Sequence, residues 1–331
     1  MSAASIASFS GRSVLVTGGA GFVGSHVADR LLSQGAEVSI LDNFSTGWHQ
    51  FVPAGARLVE GDLLDPGAVR RALEGCEFVF HLAANADVKD NLLQPRKCIE
   101  QNVVGTQNLL EGMRAAGVRG VAFASTGAVY GEATVVPTPE HAPFPVQTSI
   151  YGTSKLAAEG LLTSYALGYG FRVWIFRFVS LLGPRYTHGH VIDFWRRLRR
   201  DPTRLDVLGN GRQKKSYLHV GDCVSGMLVA IGGSGEPINV FNLGHHEWVE
   251  VDESIAVITA TLGVKPRIVY AGGERGWVGD SPRVLLDAAR LRALGWAPTR
   301  SIPESIVETL AFLEASPFVN DRQIPPEGLP R

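Results

Sequence analysis

Short apolar runs rich in β-branched residues alternate with longer amphipathic segments through the first half of the chain. Runs of this kind predict buried strands, and the segments between them have helical periodicity. The predicted strands are Ser13–Thr17, Glu37–Leu41, Arg57–Glu60, Phe78–His81, Val121–Ser125 and Arg172–Phe176. The predicted helices are Ser25–Gln34, Pro66–Leu73, Cys98–Ala116 and Tyr151–Tyr169. Because strands alternate with helices, the sequence predicts an α/β fold with a doubly wound, mostly parallel sheet.

The pattern changes after Gly183-Pro184-Arg185. A predicted helix (Ile192–Arg200), a polar loop (Gly209–Lys215) and short strands follow one another there. This change of character predicts a first domain over residues 11–182 and a smaller C-terminal α/β domain, mainly over residues 183–316.

The first domain is not expected to consist of one continuous segment of the chain. Residues of about 215–245 are expected to return to the first domain, with Val240–Leu243 as a strand of its sheet. Residues 317–331 are rich in proline, which predicts a loose tail.

Composition excludes several classes of partner. Charged residues make up 19% and hydrophobic residues 45% of the 331 residues, and the formal net charge is -1. These values are typical of a globular protein and give no global attraction to nucleic acid or an anionic membrane. A basic helix face within residues 192–200 has no aromatic stacking platform beside it, so we expect a solvated face and no nucleic-acid partner. No apolar run approaches the ~18 residues of a membrane span.

The cysteines and histidines do not have the spacing of a disulfide framework or a metal site. Three scattered cysteines without metal-like spacing argue against a disulfide framework and indicate a reducing compartment. The N-terminal segment has neither a basic start nor a long apolar run, so we expect no signal peptide and a cytoplasmic protein. His188 with His190, and His245 with His246, are pairs without a third ligand nearby, so no metal site is predicted.

A glycine-spaced turn, Thr17-Gly18-x-x-Gly21-x-x-Gly24, follows the first predicted strand. Glycine lets the chain turn sharply, approach a pyrophosphate closely and pack the next helix on the strand. The phosphate would bind free N–H groups at the helix start, including those of Phe22 and Val23. The pattern predicts a dinucleotide site; the alternative is a glycine-rich turn without a ligand.

Residues at the ends of later strands extend this predicted site. Asp42 follows the second strand, where a carboxylate accepts hydrogen bonds from the adenosine ribose and repels a 2′-phosphate. Asn43 and Phe44 come next without an arginine, so NAD is favoured over NADP. His81 is expected to be a hydrogen-bonded structural residue. The expected cofactor-binding residues at strand ends are Asp42, Asn43, Asp62, Leu63, Leu82, Ala83, Ala84 and Ser125.

Tyr151 and Lys155 stand four residues apart in a predicted helix and therefore share one helix face. Tyrosine is a poor base at its ordinary pKa of about 10, but a neighbouring ammonium and an oxidised nicotinamide favour the phenolate. Such pairs are common on helix surfaces, so the pair alone is weak. Ser125-Thr126 strengthens it, because the carboxyl ends of parallel strands face the ligand crevice. We expect Tyr151 and Lys155, with a hydroxyl of Ser125-Thr126, to carry out redox chemistry on a hydroxyl group.

These motifs together resemble the extended short-chain dehydrogenase/reductase superfamily. The resemblance spans residues 13 to about 312 and includes Asn102-x-x-Gly105-Thr106, Ser-Thr-Gly-Ala-Val-Tyr-Gly, Arg177, Gly183-Pro184-Arg185, Lys215-Ser216-Tyr217-Leu218-His219-Val220 and Arg275. Within the superfamily the chain is similar to nucleotide-sugar epimerases typified by UDP-glucose 4-epimerase. The resemblance implies a Rossmann-type NAD-binding domain, a substrate-binding C-terminal domain, and a homodimer through the helices Cys98–Ala116 and Tyr151–Tyr169.

The resemblance also implies a reaction on a UDP-sugar. Tyr151 would take the proton of the C4 hydroxyl while NAD accepts hydride from C4, and the 4-keto sugar would rotate before hydride returns to its other face. Thr126 would bond the C4 oxygen, and Asn102 would belong to the cofactor site. The implied substrate-binding residues are Thr126, Ser180, His190, Val191, Lys215 and Arg275, of which the last two would contact the diphosphate.

Departures from related families narrow the reaction. Related sugar 4,6-dehydratases carry Asp-Glu where this chain has Gly127 and Ala128, which transfer no proton, so dehydration is not expected. The glutamate that related UDP-glucuronate decarboxylases carry in this stretch is also missing. Ser180 stands where asparagine is common, and Lys215 where arginine is usual, so the identity of the sugar stays open.

The leading interpretation is a 4-epimerase acting on UDP-glucose and UDP-galactose or their N-acetyl forms. A UDP-glucuronate 4-epimerase and a net nucleotide-sugar oxidoreductase are the alternatives. A non-catalytic NAD sensor is a further alternative, but a sensor has no need of an intact Thr126, Tyr151 and Lys155.

Overall fold

The computed structural model describes residues 6–86, 88–144, 146–276 and 281–316, without the side chains of residues 88–90. Its strands are β1 (Ser13–Thr17), β2 (Glu37–Asp42), β3 (Arg57–Glu60), β4 (Phe78–His81), β5 (Gly120–Thr126), β6 (Arg172–Phe178), β7 (Ser180–Leu182), β8 (Arg204–Val207), β9 (Lys214–Lys215), β10 (Tyr217–His219), β11 (Ile238–Leu243), β12 (Val249–Glu250), β13 (Arg267–Tyr270) and β14 (Arg283–Val284). Its helices are α1 (Phe22–Ser33), α2 (Pro66–Ala72), α3 (Val88–Leu93), α4 (Pro95–Ile99), α5 (Gly105–Ala116), α6 (Ile150–Tyr169), α7 (His190–Arg200), α8 (Val220–Gly233), α9 (Val251–Leu262), α10 (Ala289–Ala293) and α11 (Ile302–Ala315).

Seven of the described strands form one parallel sheet with the order β11-β6-β5-β4-β1-β2-β3. The chain moves outward in one direction from β1 and in the other direction from β4, which is the doubly wound arrangement. The carboxyl ends of β1, β2, β4 and β5 therefore share one edge of the sheet. The predicted α/β fold with a doubly wound parallel sheet is confirmed.

Helices cover both faces of this sheet because alternate residues of the strands are apolar on each side. Val14 and Val16 of β1 pack with α1 and α8 on one face. Leu15, between them, belongs to the cluster that α2, α5 and α6 complete on the other face. Among the described residues, no helix is long and apolar enough to cross a membrane.

The residues that follow β6 build a second packed unit. In it β7 pairs with β10, β8 with β13, and β9 with both β12 and β14. The helices α7, α9 and α11 enclose a core that contains Trp195, Ile258 and Leu310. β11 then pairs with β6, which places the segment around Val240–Leu243 in the main sheet. The division into residues 11–182 and 183–316 stays a prediction, and the tail 317–331 lies outside the described residues.

Contacts at the start of the second unit fasten it to α1. His26 on α1 shares a hydrogen bond with the carbonyl of Pro184, at 2.9 Å. Asp29, one turn further along, forms an ion pair with Arg185 at 2.6 Å. The Gly183-Pro184-Arg185 segment is thus held on the helix that begins at the glycine-rich turn.

Three of the differences between the predicted and the observed elements concern the sequence motifs. α1 begins at Phe22, earlier than the predicted Ser25, since its first turn starts within the glycine motif. A π-helical segment, Glu100–Val104, interrupts the predicted helix Cys98–Ala116. Lys214–Lys215 were expected in a loop but form β9, because its pairing partners β12 and β14 lie far along the chain and leave no local signal.

A buried ion pair joins α6 to the main sheet. Glu159 on α6 and Arg177 on β6 lie 2.7 Å apart, with side chains 6% and 5% exposed. Ser125 on β5 donates to the same carboxylate. Arg177 also donates to the hydroxyl of Tyr130, which in turn donates to Asn242 on β11. The network therefore links α6, β5, β6 and β11.

Arg177→Met is expected to lower the free energy of unfolding by about 3–5 kcal/mol, because it leaves the Glu159 carboxylate buried without its cation. Arg114→Met is the matched control, since Arg114 pairs with Glu111 at the surface and should cost at most about 1 kcal/mol. Chemical denaturation of both variants measures the difference. Equal losses would mean that the buried pair contributes no more than the exposed one.

Candidate active site

The glycine-rich turn between β1 and α1 passes very close to the loop after β4. Gly18 has φ +70°, and a Cβ there would lie 2.7 Å from the backbone nitrogen of Ala83. A Cβ on Gly24 would lie 2.1 Å from the carbonyl oxygen of Gly18. Side chains at these two positions would push the turn away from the sheet edge, so glycine is required for the packing itself.

The start of α1 offers N–H groups to a ligand. Its N-cap is Gly21, which has no capping side chain, and no acidic residue lies in the first turn. The N–H groups of Phe22 and Val23 are in that first turn, where an α-helix has no internal acceptors for them. Free donors and the helix dipole together favour an anion. This end of α1 therefore fits the pyrophosphate of a dinucleotide.

Asp42 lies beside the glycine-rich turn, as the sequence predicts. Its two carboxylate oxygens accept hydrogen bonds from the backbone N–H groups of Ala20 and Phe44, each at 2.9 Å. These bonds fix the orientation of the carboxylate, whose oxygens are the kind of acceptor that a ribose hydroxyl needs. The side chain of Asn43 donates to Asp62 at 2.7 Å, so these two predicted residues are neighbours. Leu63, next to Asp62, is buried in the core.

Asn102 ties the loop after β4 to the helix of the predicted base. It lies in the π-helical segment, accepts from the backbone N–H of Asn85 at 2.7 Å and donates to the hydroxyl of Ser154 at 2.9 Å. Ser154 in turn donates to the carbonyl of Tyr151. The loop Leu82-Ala83-Ala84 is held at its start, where the N–H of Leu82 donates to β1. Asn102 therefore acts on this site through contacts with the protein.

His81 is structural, as predicted. Its Nδ1 and Nε2 atoms lie 2.8 and 2.9 Å from the hydroxyls of Thr17 and Thr106. Thr106 donates its own proton to the carbonyl of Asn102, so Nε2 must be the donor and Nδ1 the acceptor. Burial lowers the pKa of His81 to about 3. The ring is therefore neutral and does not exchange protons with a substrate near neutral pH.

The end of β5 directs two hydroxyls to different neighbours. Ser125 is buried and donates to Glu159, behind the site. The hydroxyl of Thr126 acts to lower the pKa of Tyr151, and it caps the turn that follows by accepting a hydrogen bond from the backbone N–H of Ala128. The structure thus brings Thr126 to the predicted base, whereas Ser125 supports the site from the interior.

Tyr151 and Lys155 lie on the face of α6 that is turned toward β5. Lys155 is 2% exposed, and its Nζ atom lies 4.4 Å from the ring centroid of Phe123. Burial lowers the pKa of Lys155 to about 7, although Glu159 opposes this shift. Burial also raises the pKa of Tyr151, which the hydroxyl of Thr126 partly opposes. Burial is therefore the largest influence on the pKa of Tyr151 in the protein alone, and it disfavours the phenolate.

Sequence reasoning missed Glu159 as part of this site. It follows Lys155 by one helical turn, and its carboxylate favours the ammonium form of that lysine. The same carboxylate accepts hydrogen bonds from the side chains of Ser125 and Arg177. The spacing Tyr151, Lys155 and Glu159, each four residues after the last, was visible in the sequence and could have revealed it.

The predicted substrate residues fall into two places. Ser180 pairs with Tyr217 across β7 and β10, and the ring of His190 lies 4.7 Å from that of Tyr217. Burial, aided by Lys215, lowers the pKa of His190 to about 4, so this ring is neutral. Val191, next in the chain, is fully buried in the core of the second unit, which leaves only its backbone available to a ligand.

Lys215 and Arg275, the two residues predicted to bind the diphosphate, each contact a residue of another segment. Lys215 donates to the carbonyl of Ser281. Arg275 pairs with Glu132, which follows the turn after β5. Their cationic ends thus lie on segments that flank the end of β5.

One group in the described part of the chain has the composition of a metal site. Ligand atoms of His245, His246 and Glu247 lie within 4.8 Å of one another. The Nδ1 atom of His245 already accepts from the backbone N–H of Glu247 at 3.1 Å. We assign no metal to these three consecutive residues.

Gly24→Ala is expected to lower the free energy of unfolding by about 3 kcal/mol through overpacking and to reduce the NAD that copurifies with the protein. Gly168→Ala on α6 is the control, since no atom lies within 4 Å of a Cβ built there and alanine favours a helix by up to ~1 kcal/mol. Melting curves and dinucleotide content measure both effects. A Gly24→Ala protein with unchanged NAD content would contradict the close approach at this turn.

Lys155→Met is expected to raise the melting temperature most at low pH. The unfolded chain protonates this lysine below about pH 10.4, whereas the folded protein protonates it only below about pH 7. Between these values the unfolded state binds more protons, so the stability of the parent rises with pH and the cost of burying the ammonium fades. The variant-minus-parent difference should therefore be largest near about pH 6 and smaller near about pH 9.5.

Both proteins are compared without NAD, and Lys265→Met, at an exposed lysine, is the control. If the variant-minus-parent difference in melting temperature did not change with pH, burial of the Lys155 ammonium would not lower the stability of the parent.

Comparison with known proteins identifies the family of the chain. The sequence profile described as the NAD dependent epimerase/dehydratase family matches residues 14–244. The UDP-glucose 4-epimerase of Streptomyces lividans is 34% identical over 308 residues, which cover 87% of this chain and 92% of that protein.

Solved structures extend the similarity to nearly the whole chain. The Thermus thermophilus UDP-glucose 4-epimerase in complex with NAD has a TM-score of 0.83 and 35% identity over 92% of this chain and 99% of that one. The Thermotoga maritima UDP-glucose 4-epimerase with UDP-glucose has a TM-score of 0.84 and 31% identity over the same shares. With this similarity and a site that fits a dinucleotide, the chain belongs to the NAD-dependent epimerase/dehydratase family, within the extended short-chain dehydrogenases/reductases, and its cofactor is NAD.

Proposed function

We propose that the protein inverts C4 of a UDP-hexose, either UDP-glucose and UDP-galactose or their N-acetyl forms. One observation carries the proposal: Thr126 at the end of β5 acts on the pKa of Tyr151, and a buried Lys155 lies one helical turn from Tyr151, at the sheet edge that would hold NAD. The relatives named UDP-glucose 4-epimerase support the choice of reaction.

Each of the three residues has one task in this reaction. When bound, NAD would supply the group that reversibly takes up hydride from C4 of the sugar. Tyr151 takes the proton of the C4 hydroxyl and later returns it, while Thr126 bonds the oxygen that changes charge. Lys155 would hold the nicotinamide ribose. Its ammonium form is favoured by Glu159, and a cation beside Tyr151 would favour the phenolate.

The residues next to Thr126 favour epimerisation over elimination. Gly127 and Ala128 begin the 3₁₀ turn after β5, and neither carries a group that moves a proton. Loss of water needs an acid and a base near C5 and C6 in addition to the C4 base. A keto sugar formed here would therefore be reduced again at C4.

The substrate side is proposed from the cations and polar groups around it. Lys215 and Arg275 would bind the diphosphate, the lysine as a point charge and the arginine through its bidentate fork. Ser180 and His190 would contact the nucleotide sugar beside Tyr217. Because Ser180 reaches less far than an asparagine would, UDP-glucuronate is the second substrate to test.

The decisive experiment incubates purified protein separately with UDP-glucose, UDP-N-acetylglucosamine and UDP-glucuronate and resolves each product from its C4 epimer. We expect one epimer without added NAD and without net NADH, since the cofactor is regenerated in every turnover. Net NADH would indicate an oxidoreductase instead. No epimer from any of the three, with NAD bound, would refute the proposal and favour a dinucleotide sensor.

Tyr151→Phe is expected to lower turnover by at least about 100-fold, because it removes the group that exchanges the C4 proton. NAD content should not change. Tyr169→Phe, at an exposed position on the same helix, is the control and should keep the parental rate. Parental turnover in the Tyr151→Phe protein would refute the mechanism.

We further propose a homodimer through α5 and α6, as the family resemblance implies. Ile99 and Val104 beside α5 and Leu167 on α6 are exposed apolar side chains that such contacts would bury. Sedimentation velocity measures the mass, and a monomer would contradict this part. All three cysteines are free thiols, which supports a cytoplasmic location for the enzyme.

A further inference from the structure

Glu132 forms an ion pair with a residue that is expected to bind substrate. A carboxylate oxygen of Glu132 and the guanidinium of Arg275 lie 2.5 Å apart, with side chains 49% and 45% exposed. The guanidinium lowers the pKa of Glu132, so this carboxyl is ionised at neutral pH. Glu132 follows Thr126 by six residues, on the segment that leaves β5. The pair therefore links the catalytic strand end to the second unit of the protein.

A second set of contacts ties the other expected diphosphate ligand to the same segment. The hydroxyl of Ser281 donates to the carbonyl of Gly131 at 3.4 Å, and Lys215 donates to the carbonyl of Ser281. Gly131 has φ +55°, a conformation that suits glycine and turns the chain toward these partners. Both cations are thus connected to Gly131-Glu132, one directly and one through Ser281.

A carboxylate and a phosphate would compete for the guanidinium of Arg275. A guanidinium binds a carboxylate or a phosphate through the same fork of N–H donors. A diphosphate at Arg275 would also bring its negative charge close to the Glu132 carboxylate, and like charges repel. If Glu132 instead only oriented Arg275 for the phosphate, its removal would weaken nucleotide binding. The two roles therefore predict opposite signs.

We propose that Glu132 competes with the substrate diphosphate for Arg275 and thereby weakens nucleotide binding. The inference rests on the proposed function, in which Arg275 binds the diphosphate. Its consequence is easier release of the nucleotide-sugar product. Since the pair is half exposed, the competition is modest and depends on salt.

The test measures UDP binding to the NAD-loaded protein by calorimetry at low salt. Glu132→Gln should tighten UDP binding about threefold, the range expected for an exposed ion pair, and should lower KM for the nucleotide sugar without raising kcat. Glu274→Gln is the control, because it removes the same charge from an exposed residue adjacent to Arg275. It should change UDP binding much less. High salt should reduce the gain in the Glu132→Gln protein.

Arg275→Gln separates this inference from the proposed function. We expect Arg275→Gln to weaken UDP binding and to abolish the effect of adding Glu132→Gln, since the two residues then no longer interact. Unchanged UDP binding in Arg275→Gln would remove Arg275 from the diphosphate site and overturn both proposals. Weakened binding in Arg275→Gln, with unchanged or weaker binding in Glu132→Gln, would overturn only the competition. If Glu274→Gln tightened UDP binding as much as Glu132→Gln, the tightening would be a general effect of charge and would not support competition by Glu132.

Discussion

The burial of Lys155 is the constraint around which the centre of this protein is organised. An ammonium removed from water is costly unless an opposite charge lies nearby. Glu159 provides that charge one helical turn away, and the carboxylate needs partners of its own. Arg177 supplies most of them, and Tyr130 and Asn242 then continue the network to the edge strand β11. The carboxylate nearest this lysine thus belongs to a network of polar groups that joins α6, β6, β11 and the turn after β5.

Hydrogen bonds and ion pairs also connect the segments at the sheet edge that would hold NAD. Asn102 lies between the loop after β4 and the helix of Tyr151, and it hydrogen-bonds to both. Its position in a π-helical segment is consistent with the tendency of such segments to occur at functional sites. On the other side of the sheet edge, His26 and Arg185 hold α1 against the second unit. The groups that would contact NAD and substrate are therefore attached to one another through the protein.

Much of the fold was predictable because its signals are local. The apolar runs predicted the strands β1, β3 and β4 with their observed bounds, and the spacing of Tyr151 and Lys155 placed both on one helix face. The glycine turn was predictable because its backbone conformation and packing exclude other residues. Contacts between distant segments were not predictable. Nothing near Ser125 reveals that it turns to Glu159, and nothing near Lys214 reveals the partners of β9.

The arrangement of β11 has a consequence for how the protein is made. A ribosome synthesises the first six strands of the main sheet long before residues 238–243 emerge, yet β11 is the strand that covers the free edge of β6. Until then β6 presents unpaired backbone groups, which in a parallel sheet invite pairing with other chains. The nascent cofactor-binding half thus cannot complete its sheet until the first part of the second unit, β7 to β10, has been translated. Folding of the two halves is therefore coupled in time as well as in space, and the interval before β11 arrives is when a chaperone would be of most use.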